Sequence, residues 1–169
     1  FLYAAAKEAL DAGIKLIVII SENVPVQDSA KLVEDAREKG VTLLGPASVG
    51  IIKVGEMKLG SIGSEERMYT KGNVAIVSKS GGMCGETALL LSQNKIGQSI
   101  CVGIGGDQIL GTSFTDMFEV LEKDKDTKVI VMYGEIGGRY EEEVAKMIKA
   151  GKVTKPVVAF ISGQFAEKV

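Results

Sequence analysis

Four short segments of this sequence combine glycine with groups able to hold a charged ligand. They are Ser78-Lys79-Ser80-Gly81-Gly82, Gly103-Ile104-Gly105-Gly106-Asp107, Gly134-Glu135-Ile136-Gly137-Gly138 and Ser162-Gly163. Glycine lets a backbone come close to a ligand. The first segment leads straight into a helix that begins near Met83. The first N–H groups of a helix have no internal partners and carry partial positive charge. A phosphate or carboxylate bound there is physically natural. On local sequence alone, a plain Ser/Gly cap explains the run equally well. Glu135 follows an apolar run and is flanked by glycines, so its carboxylate could orient a metal ion or a cationic group. It could also cap the helix after Gly138. Asp107 presents the same choice between a ligand contact and an N-cap or Asx turn.

Cys84 lies at the start of the helix after Gly82, where the helix dipole could lower a thiol pKa. A small buried residue is the more ordinary reading. Cys101 falls inside a strand and reads as core, and Met83, Leu90 and Leu91 read as helix packing. Several chemistries drop out. GxSxG is not matched and the chain has no histidine, so a serine-hydrolase elbow lacks its base. GIGGD is not GxGxxG, so no dinucleotide fingerprint is present. Two cysteines without CxxC spacing and no histidine argue against a zinc site.

The elements needed to position these loops are legible. Residues 1–12 carry Ala and Leu at helical spacing and stop at Gly13. Residues 16–20 (LIVII) are a short buried-strand run. Pro25 and Asp28 open a helix over 28–39, ended by Gly40, and 41–44 is a strand. This strand–helix–strand crossover is typical of parallel pairing. GPASVG (45–50) breaks the pattern, and the stretch to Gly72 reads as irregular. From Asn73 a repeat begins, with strands over 73–77, 98–102, 128–133 and 156–161. Helices run from near Met83 to about Asn94, over 113–123 and over 139–150. Four strands with three intervening helices predict a doubly wound parallel sheet. Each glycine-rich segment then follows the carboxyl end of a strand, where open parallel sheets bind ligands.

The composition is that of an ordinary globular protein: 169 residues, 25% charged and 46% hydrophobic. A net charge of −2 offers no basic field for nucleic acid. Scarce aromatic residues, 5% of the chain, remove base-stacking platforms. No apolar stretch reaches about 18 residues, so no membrane span is expected. Unpaired thiols suggest a reducing, cytoplasmic setting. The sequence starts at Phe1 with a helix in progress and reads as a piece cut from a longer chain at both ends.

Ser78-Lys-Ser-Gly-Gly-Met-Cys-Gly-Glu86, followed by Gly97 and Gly103–Asp107, resembles the signature of the succinyl-CoA synthetase α-subunit family of nucleoside-diphosphate-forming acyl-CoA synthetases. Ile20-Ser-Glu-Asn-Val-Pro-Val-Gln-Asp28 is similar to the segment near the end of that family's CoA-binding domain. Gly134–Gly138 and Thr154-Lys155-Pro156 also match, so the resemblance covers essentially the whole chain. It implies a flavodoxin-like ligase domain preceded by the end of a Rossmann-like CoA-binding domain. The division would be 1–46 for the CoA-binding part, 47–72 for a connecting segment and 73–169 for the ligase domain.

The resemblance further implies an enzyme that joins an acid to CoA at the expense of ATP or GTP, with Mg2+, through a phosphohistidine. The phosphohistidine would sit in a Gly-His motif beyond the last strand here. Ser78, Ser80, Gly81, Gly82 and Met83 would hold phosphate. Glu135 would be the catalytic acid, facing the phosphohistidine or the metal. Ile20, Ser21 and Glu22 would contact CoA. Partners would be a β-like ATP-grasp subunit or fused domain and a small carboxylic acid, in a hetero- or homo-oligomer.

Succinyl-specific members read S-x-S-G-T-L-T-Y-E and G-P-N-C-P-G. Here Gly82-Met83, Gly85 and Gly45-Pro-Ala-Ser-Val-Gly50 stand instead, similar to ATP-citrate lyases. Gly82 and Gly85 would then open the acid pocket and make citrate the expected substrate. A succinyl-CoA synthetase and a non-catalytic CoA-binding module are the alternatives. Cys84 also departs from the family's Ser, Thr or Gly.

Overall fold

The computed structural model describes residues 1–63 and 66–163. Its first part is a two-stranded parallel sheet, β1 (Leu16–Val18) beside β2 (Thr42–Leu44), with helices α1 (Leu2–Asp11) and α2 (Val26–Glu38). Ala6 and Leu10 of α1 lie four residues apart, on one helix face. They pack with Leu32, Val33 and Ala36 of α2 and with Ile19, Val41 and Leu43 in one buried cluster. α2 starts two residues earlier than expected, because Pro25 serves as its N-cap and Asp28 falls in its first turn.

The second part is a six-stranded sheet. It contains β3 (Gly50–Lys53), β4 (Met57–Leu59), β5 (Lys71–Ser78), β6 (Gln98–Gly103), β7 (Val129–Glu135) and β8 (Val157–Ser162), in spatial order β4-β3-β6-β5-β7-β8. β6, β5, β7 and β8 are parallel, as the strand–loop–helix repeat predicts. Helices α3 (Gly81–Gln93), α4 (Phe114–Lys123) and α5 (Tyr140–Lys149) connect them.

The alternation of β5 shows both faces covered. Ala75 and Val77 join Phe114, Phe118, Val144 and Met147 in the main core, so α4 and α5 cover one face. Ile76 joins Cys84 and Ala88 on the other, under α3. Phe114 and Phe118 are fully buried, each worth roughly 1.5–3 kcal/mol of apolar transfer. The doubly wound arrangement is therefore present.

Two expectations need correction. The stretch 45–72 is not irregular throughout. It contains the β3–β4 hairpin, antiparallel to β6, and a 3-10 turn over Glu66–Met68. β3 has four residues and is half-buried, and β4 has three and is exposed. Strands so short show no readable alternation; their pairing comes from the open edge of β6. Leu90, expected as packing, is 60% exposed and Met83 is 36% exposed. α3 fully buries the stripe carrying Cys84, Gly85 and Ala88, and Leu91 packs partly buried against the same cluster, as expected.

Parallel pairing sets Ser78 level with Gly103 and with Tyr133, and Glu135 level with Ser162. All four glycine-rich segments therefore open on the same edge. The smaller sheet docks against that edge. Leu43 O accepts from Thr112 Oγ1 at 2.8 Å and Gly45 O accepts from Gly111 N at 2.9 Å. Among the described residues no helix is long and apolar enough to cross a membrane.

Candidate functional site

Ser78 is the last residue of β5 and is fully buried. Its hydroxyl donates to Ser80 O at 2.7 Å, tying the turn together. Ser80 caps α3, and its Oγ accepts from Met83 N at 3.4 Å. The N-terminus of α3 opens into a cavity of about 420 Å³. Lys79, Ser80, Gly81 and Gly82 form one wall. Gly106 and Asp107 come from the loop after β6, Glu135 from the end of β7, and Glu22 and Asn23 from the loop after β1. Residues far apart in sequence thus meet around free helix N–H groups.

The two glycines of the first loop differ. A Cβ on Gly81 would lie 2.1 Å from Val49 Cγ1, whereas a Cβ on Gly82 would meet nothing within 4 Å. Gly81 is needed so that α3 can start against Val49. Gly82 borders open space at the start of α3. Val49 also lies 2.5 Å from where a Cβ on Gly103 would be, so one side chain packs beneath two loops. Ser48 pins this segment. Its Oγ donates to Gly103 O at 2.5 Å and accepts from Gly50 N at 2.9 Å. Ser48 and Val49 lie in the Gly45–Gly50 motif, but their packing roles were not readable there, since both act through distant contacts.

Glu135 is the last residue of β7 rather than part of a free loop. No side chain caps α5, so Glu135 is not that helix's cap. Its N–H donates to Glu141 Oε1 at 3.1 Å. Asp107 caps no helix either. Its Oδ2 accepts from Val24 N at 3.2 Å and links the loop after β6 to the approach of α2. The cavity therefore brings together the carboxylates of Glu22, Asp107 and Glu135 beside a helix N-terminus. Among the described residues no group of three or more His, Cys, Asp or Glu could by itself hold a metal ion. Glu135 suits a Mg2+ that takes one or two carboxylates and completes its shell with phosphate oxygens and water.

The remaining predicted residues fall elsewhere. Ile20 and Ser21 line an apolar groove along α1, together with Leu2 and Ala5. They flank Glu22 but do not line the loop cavity. Met83 contributes its N–H to the cap and is not part of the cavity wall. Gly85 is buried outside the cavity lining, and a Cβ on it would meet Met68 Cε at 3.0 Å. Cys84 is fully buried, and burial pushes its thiol up to about 12. Desolvation outweighs the helix dipole there, so Cys84 is a core residue and not a reactive thiolate. Burial raises the Cys101 thiol as well.

With this geometry in hand, known proteins place the chain. A family model described as CoA-ligase matches residues 77–169, more than half of the sequence. The α2 subunit of the ADP-forming succinate–CoA ligase of Archaeoglobus fulgidus is 45% identical over 159 residues, which is 94% of this chain and 54% of that protein. The corresponding α subunit of Staphylococcus aureus is 42% identical, over 94% and 52% respectively. This chain thus spans about half the length of the curated relatives it matches. The solved ATP citrate lyase of Methanosaeta concilii in complex with (3S)-citryl-CoA superposes with a TM-score of 0.92. It is 33% identical and covers 99% of this chain and 28% of its own. ATP citrate lyase from Methanothrix soehngenii, with citrate and coenzyme A bound, matches equally well. The chain belongs to the CoA-ligase family.

Proposed function

We propose that this chain forms the CoA- and phosphate-handling part of a nucleoside-diphosphate-forming acid–CoA ligase acting on citrate. One observation carries the reading: the capped N-terminus of α3 faces Glu135, Glu22 and Asp107 across a single cavity. The N–H groups at the start of α3, from Ser80 to Gly82, would hold a phosphoryl group, with Ser78, Ser80 and the Met83 N–H fixing the capped turn and Gly82 leaving access. Glu135 would face the phosphorylated group and share a Mg2+ bound with ATP or GTP; the metal would supply charge neutralisation on the phosphates. Ile20, Ser21 and Glu22 would line the approach of CoA. The chain contains no histidine, so the phosphohistidine of this reading comes from outside these residues. The nucleotide would be bound by a β-like ATP-grasp subunit or fused domain, in an oligomer in the cytoplasm. Residues 1–46 would be the end of the CoA-binding domain and 73–169 the ligase domain. The 47–72 segment, with β3 and β4, would connect them and complete the ligase sheet.

Citrate is favoured by Gly82-Met83 and by Gly45-Pro-Ala-Ser-Val-Gly50. Gly85 supports it less directly, because Met68 fills the space beside it. Succinate is the second reading, favoured by the 45% identity to a succinate–CoA ligase subunit. The test is thioester formation by the full-length enzyme with its nucleotide-binding partner, supplied with ATP, CoA and either acid. Citrate is expected to give the higher kcat/KM. Faster turnover of succinate would move the assignment to the second reading. CoA binding without thioester from any acid would mark a binding module and overturn both.

A further inference from the structure

Lys79 stands in the middle of the first glycine-rich loop, yet its ammonium turns away from α3 and towards the loop after β7. Nζ lies 2.9 Å from Glu141 Oε1, and the two side chains are only 8% and 15% exposed. It lies 3.4 Å from Gly137 O and over the Tyr140 ring, 5.4 Å from the centroid. The same Glu141 Oε1 accepts from Glu135 N at 3.1 Å. One carboxylate oxygen therefore binds both the loop that caps α3 and the backbone of the acid at the end of β7. The arrangement is accommodated by Gly134, where a Cβ would lie 2.7 Å from Glu141 Cγ and 2.8 Å from Oε1.

We infer that Lys79 and Glu141 form a strap between the two loops, and that both are positioning residues for Glu135. This rests on the reading of Ser80–Met83 and Glu135 as the working parts of an acid–CoA ligase. A buried pair of this kind holds its geometry because either charge left alone would be stranded away from water. Lys79 also lines the cavity, so the competing role is direct contact with a bound anion. The two roles predict opposite behaviour of Glu141. A strap fails when either end is removed. A direct ligand is set free when Glu141 is removed.

The experiment compares Lys79→Met, Glu141→Leu, the double variant and Lys79→Arg in the full-length enzyme with its nucleotide-binding partner. Each single apolar variant is expected to slow phosphoenzyme formation from γ-labelled ATP by about 10²-fold, the effect of a catalytic group displaced by about 1 Å. KM for CoA should stay within about twofold, which separates lost positioning from lost binding. The double variant should be no slower than the worse single, because both remove one interaction. Lys79→Arg should recover about tenfold of the loss, since a guanidinium can still pair with the carboxylate. Amide exchange over residues 135–139 should quicken in both single variants while α4 keeps its protection. Normal phosphoenzyme formation in Glu141→Leu beside a defective Lys79→Met would establish the direct-ligand role and overturn the strap. Losses that multiply in the double variant, or unchanged exchange over 135–139, would overturn it as well. If the wild-type enzyme forms no phosphoenzyme, the ligase reading fails, and amide exchange alone decides the strap.

Discussion

Gly81 and Gly82 are neighbours in one loop, yet they belong to different regions of the molecule. Gly81 sits on the floor of the loop edge, pressed against Val49, and Gly103 and Gly105 share that floor. A Cβ on Gly105 would lie 2.0 Å from Pro46 O, at a φ of +109° that side chains rarely adopt. Gly82 sits at the mouth, as does Gly106, with nothing within 4 Å of a built Cβ. The floor glycines let residues 45–49 pass close under the sheet edge. The mouth glycines leave the helix N-terminus approachable. The same residue type thus permits close packing at one position and leaves open space at the next.

Gly81→Ala should break the floor and have the largest effect. Its Cβ would lie 2.1 Å from Val49 Cγ1, and overpacking of this kind costs about 2 kcal/mol. Urea unfolding of the protein should show the loss, and Val49→Ala should restore most of it. Full stability in Gly81→Ala would erase the distinction between floor and mouth. An acidic probe of the proposed anion site placed at residue 81 would mix this collision with charge repulsion, so Gly82 is the position to use.

Gly82→Asp should leave stability intact, since an acid in the first turn suits the helix dipole. It should nevertheless weaken inorganic phosphate binding by at least about tenfold, through repulsion at the mouth. Calorimetric titration of both proteins with inorganic phosphate tests this. Equal affinities would mean that the anion does not sit at the start of α3.

Gly85→Ala should have the smallest effect and sharpens the comparison from the helix interior. Alanine favours a helix over glycine by up to about 1 kcal/mol. The Cβ meets only the flexible end of Met68, at 3.0 Å. The two effects offset, and the change in unfolding free energy should stay within about 0.5 kcal/mol. A loss of several kcal/mol would show that the Met68 contact is rigid and that position 85 belongs with the floor.

Much of the architecture was legible in the sequence. The strands β5 to β8 and the helices α3 to α5 were readable because each is long enough to show a periodic apolar pattern between glycine-rich breaks. Their alternation implied a parallel sheet, and a parallel sheet puts the ends of its strands together. Ser80, Gly81, Gly82 and Glu135 were therefore expected near one another, and they line one cavity. Other features depended on the tertiary structure. The hairpin of β3 and β4 is too short and too exposed to leave a pattern, and it exists because β6 offers an unpaired edge. The separation of Gly81 from Gly82 is decided by Val49, the direction of Lys79 by Glu141, the surroundings of Gly85 by Met68, and the burial of Cys84 by the sheet beneath α3. Periodicity and capping are properties of near neighbours, so the sequence displays them. Which distant side chain fills the space beside a glycine, or pairs with a lysine, is settled only when packing brings those segments into contact.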